Sequence, residues 1–548
     1  MSASIPQLTP PEAAPGQASA PRAASRATTR IARSTGVLAT AIAVSRVLGF
    51  VRDVLLARIF GTTIQAQAFV VAFRLPNVLR DLVAEGAVTS AFVPVLTWYR
   101  MKRDEAEFWR LSHALLSRLV VILCGLGALG VLAAPLIVRL VAPGFAGDPA
   151  KLALTVALTR ILFPFITLVG FWAFFMGLLN SLHHFLMPAM GQAVLNLAMI
   201  AACLWVVPRV ADGAVAVAVA VMVGGVAQIL VQVPVAIRLG FRWRWRWRHP
   251  GSKEILRLLG PRVIGSAVYQ ASVLIDTALA SLGTLAGDGA VVALYFANRL
   301  VQLPMALFGT ASAQASLPAL AEQAVHQDHD GFRDTLVSVI RMVAFVILPS
   351  AVGLIVMASP IVHGLFERGA FTHAAAVMTS RTLACYALGL WAYSTSKVLT
   401  GAFYALRDTR TPVFLAAEAL GLNVALSLAL LWPLKVSGLA LAAALTNTLN
   451  AFRLIQRLER RLERPILQPA RAALLRMLAA SLVMGLACWA LWRGVLVRMN
   501  PWVGLSLDVA AGVVVYLAAS LGFGVQESTT VLRWSNLLPA ITQPSASE

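Results

Sequence analysis

Residues 119–138 read Leu-Val-Val-Ile-Leu-Cys-Gly-Leu-Gly-Ala-Leu-Gly-Val-Leu-Ala-Ala-Pro-Leu-Ile-Val, twenty positions without a charge. At 1.5 Å per residue such a helix is about 30 Å long, which is the thickness of a bilayer's hydrocarbon core. The stretch is no exception. Hydrophobic residues make up 59% of the 548 positions and charged residues only 13%, with a mean hydropathy of +0.78. A soluble chain of this length needs far more polar surface to cover its cores. Alternating ten-residue segments of the kind that build a membrane β-barrel are absent from the sequence, so the composition predicts an all-α membrane protein.

Working outward from 119–138, apolar runs and their Gly/Pro punctuation predict about fourteen spans. They lie near 36–60, 66–97, 111–141, 153–181, 186–207, 213–237, 256–282, 290–318, 334–361, 374–404, 412–432, 437–452, 472–495 and 503–524. Lys and Arg in alternate connections test this count. The N-terminal tail carries four (Arg22, Arg26, Arg30, Arg33), the 98–110 loop four, the 238–262 loop eight and the 453–476 loop seven. Connections on the other side carry none to two each. A single miscounted helix would scramble this parity, and the positive-inside rule then predicts that both termini face the cytoplasm of a bacterial inner membrane.

The net charge of +21 therefore reflects topology and does not point to nucleic acid. Phe241-Arg-Trp-Arg-Trp-Arg-Trp-Arg248 is two-faced only as an extended strand, and reads as a cytoplasmic interfacial anchor on anionic phospholipids. Cys124, Cys203, Cys385 and Cys488 fall inside apolar segments and read as small buried residues. Residues 1–33, rich in Ala, Pro and Ser, read as a disordered cytoplasmic tail. A phosphate loop, a Ser-His-Asp pattern and a His/Cys/Asp metal spacing are all missing from the sequence. His183-His184 reads as solvated. The expectation is a transporter, not an enzyme.

The chain also repeats itself. Pro94 in Ala-Phe-Val-Pro-Val-Leu recurs as Pro318 in Ala-Ser-Leu-Pro-Ala-Leu, and Gly177, Leu182 and Pro188 recur as Gly401, Leu406 and Pro412, all offset by 224 (318 − 94). Pro135 and Gly144 recur as Pro360 and Gly369, and Pro208 and Gly213 as Pro433 and Gly438, offset by 225. Leu or Ala pairs would match by chance, but Pro and Gly at one offset over five segments would not. Six helices separate the copies, so orientation is preserved and the halves are parallel repeats, a transporter arrangement. The expected organisation is a first lobe at 34–240 and an Arg/Trp linker at 241–255, followed by a second lobe at 256–455 and a basic linker at 456–471. Two further helices at 472–525 and a cytoplasmic tail at 526–548 complete the chain.

Intramembrane charges mark the candidate site. Each costs roughly 2.5–3.5 kcal/mol at mid-bilayer, so such groups face cavities or partners. The first span holds Arg46, Arg52, Asp53 and Arg58, and the second Arg74, Arg80, Asp81 and Glu85. A straight-helix projection places Arg46 and Asp53 on one face, as it does Arg74, Asp81 and Glu85. Those carboxylates can pair with the arginines and lock the bundle, and Arg58 near a span end can snorkel to the interface. Cations outnumber anions in the two helices, which favours a phosphorylated substrate as partner. Arg299, in Tyr295-Phe-Ala-Asn-Arg-Leu300, almost repeats Arg74 and brings the second lobe to the same interface. Asp276 is a candidate coupling-cation ligand, with Lys397 able to neutralise it instead; Glu418 is a further intramembrane charge.

At Ser45-Arg-Val-Leu-Gly-Phe-Val-Arg-Asp53 the chain resembles the MurJ (MviN) family of lipid II flippases, within the MOP (multidrug/oligosaccharidyl-lipid/polysaccharide) transporter superfamily. Further matches are Ala68-Phe-Val-Val-Ala-Phe-Arg-Leu-Pro-Asn77, Leu79-Arg80, Ala84-Glu-Gly-Ala87, Ala91-Phe-Val-Pro94, Phe366-Glu-Arg-Gly-Ala-Phe-Thr372 and Arg407-Asp-Thr-Arg-Thr-Pro412, covering about 34–525. The resemblance implies export of lipid II, the undecaprenyl-pyrophosphate-linked peptidoglycan precursor, by alternating access, with roles in cell-wall biogenesis and cell shape. It implies Arg46, Arg52, Arg80 and Arg299 as substrate-binding arginines and Asp53 and Glu85 as acidic gating partners, while Arg74 and Asp81 read as an ion pair from their shared helix face alone. The last two helices would form a groove for the lipid tail, and divisome or elongation proteins would be partners. Relatives often carry Asp where this chain has Gln67 and Asn298. Some bind Na⁺ at positions matching Asp276, Asn423 and Ser427, with Thr where this chain has Ala443, so that Na⁺ or the membrane potential alone is left as driving force. Other readings are an O-antigen-type flippase for a polyprenyl-pyrophosphate oligosaccharide, a drug exporter (disfavoured by the arginine excess) and a non-transporting scaffold of the cell-wall machinery.

Overall fold

The computed structural model describes residues 41, 43–80 and 92–531, and these contain helices and connections with no strand among them. The expected tail at 1–33, the Asp81 and Glu85 positions and the end of the C-terminal tail lie outside the described residues. The first half comprises α1 (43–60), α2 (Ile64–Arg80), α3 (Val93–Lys102), α4 (Glu105–Val141), α5 (Pro149–Leu162), α6 (Phe165–Ser181), α7 (Leu186–Ala201) and α8 (Gly213–Arg238). The second comprises α9 (Gly251–Ser281), α10 (Gly283–Ala286), α11 (Ala290–Pro304), α12 (Ala311–Val325), α13 (His329–Val356), α14 (Ala358–Phe366), α15 (His373–Leu388), α16 (Leu390–Ala405), α17 (Arg410–Leu434) and α18 (Val436–Leu462). Helices α19 (Leu467–Gly494) and α20 (Pro501–Gly522) follow; α19 packs on α13 and on α20.

Ten helical stretches among the described residues are long and apolar enough to cross a membrane, and 105–141, which contains the charge-free run, is one of them. The other four expected spans are α1 and α2, which carry the arginines, α9, and the pair α15–α16, which breaks at Gly389. The total is compatible with fourteen crossings.

The repeat is visible in backbone detail. α4 and α13 begin at Glu105 and His329, α5 and α15 at Pro149 and His373, and α7 and α17 at Leu186 and Arg410, each 224 apart (329 − 105 = 224). Caps recur at the same offset: Asp148 accepts from the N–H groups of Ala150 and Lys151, and Thr372 from that of Ala375. The left-handed residues before α7 and α17, His183 (φ 63°) and Arg407 (φ 57°), are also 224 apart. Caps and αL residues are where a chain spends its few special conformations, so their repetition reports a duplicated path.

By alternation, the connections at 61–63, 143–148, 282–289 and 367–372 gather at one end of the bundle. Here the halves touch: Ala370 N–H donates to the Arg58 carbonyl at 2.9 Å, and Gly144 N–H to Ser281 Oγ at 3.0 Å. We call this the closed end. The opposite, basic end carries the 103–104 and 239–250 connections. Residues 241–249 form no regular secondary structure and are anchored by buried Phe241 against Trp109 and by His249 on Glu107 at 2.7 Å. Arg118 donates to the Trp247 carbonyl at 2.8 Å, while Trp243, Trp245 and Trp247 stay exposed.

Candidate functional site

The site is built where α1 faces α11 just inside the closed end. Arg52 and Asp53 are 7% and 5% exposed. Arg52 donates Nε and Nη2 to Asp53 Oδ1 at 3.1 and 2.8 Å, and Nη1 to Asn196 Oδ1 at 2.8 Å. Asn196, on α7, donates to the Ser45 carbonyl at 3.1 Å and so ties α1 to α7. Gly49 permits this approach, because a Cβ there would already sit 3.3 Å from Asn196 Nδ2.

The second half supplies Arg299 and Tyr295. Arg299 Nε lies 3.5 Å from Asp53 Oδ2, Tyr295 Oη donates to Asp53 Oδ1 at 3.3 Å, and the Arg299 guanidinium stacks 5.1 Å from the Tyr295 ring centroid. One buried carboxylate thus bridges a guanidinium from each half. The Arg52 arm is buried within the first half, and the Arg299 arm crosses between the halves to a partly exposed guanidinium; we call this cross-half contact the clasp.

The other expected site residues fall as follows. Arg46 is exposed and makes no ion pair with Asp53, so the face-sharing Arg46–Asp53 pairing is corrected to Arg52–Asp53. A straight-helix projection places neighbouring Cβ atoms 100° apart, but the long arginine stem wraps back to its neighbour's carboxylate. Arg74 and Arg80 are half-buried on α2, and Arg74 is close enough to Asp276 for their charges to interact. Asp276, Asn423 and Ser427 do come together in part: Asn423 Nδ2 donates to Asp276 Oδ1 at 3.0 Å, and Ser427 lies one turn further on α17. The Asn423 Oδ1 and Ser427 Oγ atoms are buried without a hydrogen-bond partner. Lys397 donates to Thr310 Oγ1 at 3.0 Å, and Glu418 pairs with Arg453 at 2.8 Å.

Toward the closed end the clasp is capped by an apolar plug. Phe60, Phe69 and Phe73 of the first half and Phe296 of the second surround a void of only ≈ 20 Å³. Phe296 packs further on Phe366 and Phe371, with ring centroids 4.9 and 5.9 Å apart. Beyond the plug, Gln67 Nε2 donates to Asp288 Oδ1 at 3.0 Å, while Lys151 Nζ reaches Gln67 Oε1 at 3.2 Å and Asp288 at 3.4 Å. The carboxylate at this contact comes from Asp288 of the other half, which faces Gln67. Asn298 accepts from Gln302 at 2.6 Å.

Two six-helix repeats that meet at a buried charge cluster, with an apolar plug at one end, are the architecture of a membrane transporter. Known proteins agree. A structure titled lipid II flippase MurJ in an inward closed conformation superposes with a TM-score of 0.75 at 24% identity, covering 89% of this chain and 98% of that one. An inward-facing MATE-family multidrug transporter of the MOP superfamily gives 0.65 at 14% identity, covering 76% and 94%. The family model described as lipid II flippase MurJ matches residues 56–507. A probable lipid II flippase MurJ of Rhizobium meliloti is 35% identical over 88% of this chain and 91% of its own length. The lipid II flippase MurJ of Burkholderia cenocepacia is 34% identical over 88% and 94%. The chain belongs to the lipid II flippase MurJ family.

Proposed function

We propose that this multi-pass protein moves lipid II from the cytoplasmic to the outer leaflet of the bacterial inner membrane by alternating access. The observation that carries the site assignment is the convergence of Arg52 and Arg299, one from each half, on the single carboxylate of Asp53. A pyrophosphate offers the same guanidinium forks several acceptor oxygens, and can take them over as the clasp opens. Arg46 and Arg80 would extend the cationic path toward the basic end. We assign that end and both termini to the cytoplasm, with 34–240 and 256–455 rocking about the clasp. In this reading the exposed tryptophans at 243, 245 and 247 rest on anionic headgroups, and α19–α20 guide the polyprenyl tail. Asp276, Asn423 and Ser427 present oxygen donors suited to Na⁺, which would supply charge compensation and coupling when bound.

The test is complementation of a strain depleted of its lipid II flippase. Arg52→Ala and Arg299→Ala should fail to restore growth while reaching the membrane at wild-type level. Each loses charge-assisted bonds of about 1.5–3 kcal/mol, or roughly 10–100-fold in handling of the anion. Normal growth of either strain would overturn the assignment.

A further inference from the structure

The loop that joins α14 to α15 holds a side-chain cluster outside the charge site described above. His363 and Glu367 are four residues apart and meet at the end of α14, with His363 Nδ1 on Glu367 Oε2. His373, the first residue of α15, places Nδ1 2.8 Å from Glu367 Oε1. The two imidazole centroids are 4.9 Å apart, and one ligand atom from each of the three residues lies within 4.8 Å of the others. The spacing His-x₃-Glu-x₅-His matches no standard metal motif, which is why the sequence alone offered no metal-ligand set here.

We infer that His363, Glu367 and His373 form a site for a divalent transition metal of the zinc class, whose occupancy holds the closed end shut. Two imidazole nitrogens and a carboxylate are borderline ligands that suit Zn²⁺, leaving a fourth position open to water. The hydrogen-bonded cluster without metal is a weak competitor. The His373 side chain is 73% exposed, and an exposed ion pair contributes only about 0–1 kcal/mol against the entropy of holding it.

The fold presents the three ligands ready-made. Thr372 caps α15 and fixes His373, and Phe371 is buried against Phe296. Gly369, at φ +62°, lies against the Arg58 carbonyl, where a Cβ would stand 2.3 Å from its oxygen. The loop carrying the ligands is therefore the same loop that touches α1. A metal that staples α14 to α15 across this loop stiffens the closing contact. This second part of the inference rests on the alternating-access reading; metal binding does not.

Chelator-treated, full-length protein in detergent should take up one equivalent of Zn²⁺ by calorimetry, with no lipid substrate present. His373→Gln, a change at an exposed position that leaves the fold intact, and Glu367→Gln should each weaken binding by about tenfold or more. Co²⁺ should give the absorption of a low-symmetry site in the wild type, and that absorption should be lost in both variants. Equal Zn²⁺ affinity in wild type and His373→Gln would overturn the site, as would the absence of saturable binding. With the native cysteines replaced, a single cysteine at Val292, beside the plug, should label more slowly when Zn²⁺ is added. The slowing should vanish in His373→Gln. Zn²⁺ binding without any slowing would overturn the gating role and leave both the metal site and the lipid II reading standing.

Discussion

At the scale of single residues, the clasp is decided by geometry as much as by charge. Arg52→Lys keeps a positive charge on α1, but a point ammonium cannot reach Asp53 twice and Asn196 once in the manner of the guanidinium. It should therefore behave closer to Arg52→Ala than to wild type in complementation, with normal membrane levels. Asn196→Ala removes the amide that positions Arg52 and leaves one guanidinium N–H buried and unpaired, a loss of about 1–3 kcal/mol. A lowered melting temperature for purified Asn196→Ala, with anion handling only partly reduced, is the expected outcome; an unchanged melting temperature would rule out a positioning role. The charged members of this cluster, Arg52, Asp53 and Arg299, stand out in sequence because charge inside an apolar run is costly. Asn196 and Tyr295 do not stand out, since neutral polar groups occur in many membrane helices. Lys151 and Asp288 were hidden for the opposite reason, because they lie near connections, where charge is expected.

At the scale of elements, the closed end depends on two glycines whose backbone no other residue fits. Gly61 has φ +53°, and a Cβ there would lie 2.0 Å from the Ala370 carbonyl oxygen; Gly369 meets Arg58 in the same way from the other side. Gly61→Ala should push the 367–372 loop off α1 and favour the arrangement open at this end. A cysteine at Val292 in that background should label faster with a membrane-impermeant thiol reagent, and labelling no faster than in the parent would refute the contact's role. The helices themselves were legible from apolar runs and from the 224-residue offset, which the starts of α4 and α13, α5 and α15, and α7 and α17 reproduce. The breaks inside the 153–181 and 374–404 runs, after Phe163 and at Gly389, were not legible. Hydropathy averages over a span, whereas a break depends on one Pro or Gly and on the neighbour that packs into it.

At the scale of the whole molecule, a duplicated chain encodes two halves and an axis, but a sequence does not state which end is shut. The structure shows the shut end through contacts that cross between the halves: Asp53 with Arg299, Phe296 with the first-half phenylalanines, Gln67 with Asp288. If transport requires these contacts to part, a covalent link across them must stop it. With Gln67→Cys and Asp288→Cys, whose native side chains now meet at 3.0 Å, the two thiols can be joined through disulfides by a short bis-methanethiosulfonate cross-linker in a background lacking Cys124, Cys203, Cys385 and Cys488. The linked protein should keep its fold and its ability to bind a pyrophosphate-bearing lipid from the basic end, yet translocate none in vesicles. Reversing the link with reductant should restore transport to the level of the unlinked double variant, which controls for loss of the native Gln67–Asp288 bond. Each single-cysteine protein, treated identically, should be unaffected. Undiminished translocation by the fully linked protein would mean that cargo passes without separation of the halves at this end, and the clasp would then be a structural strut and not part of a gate.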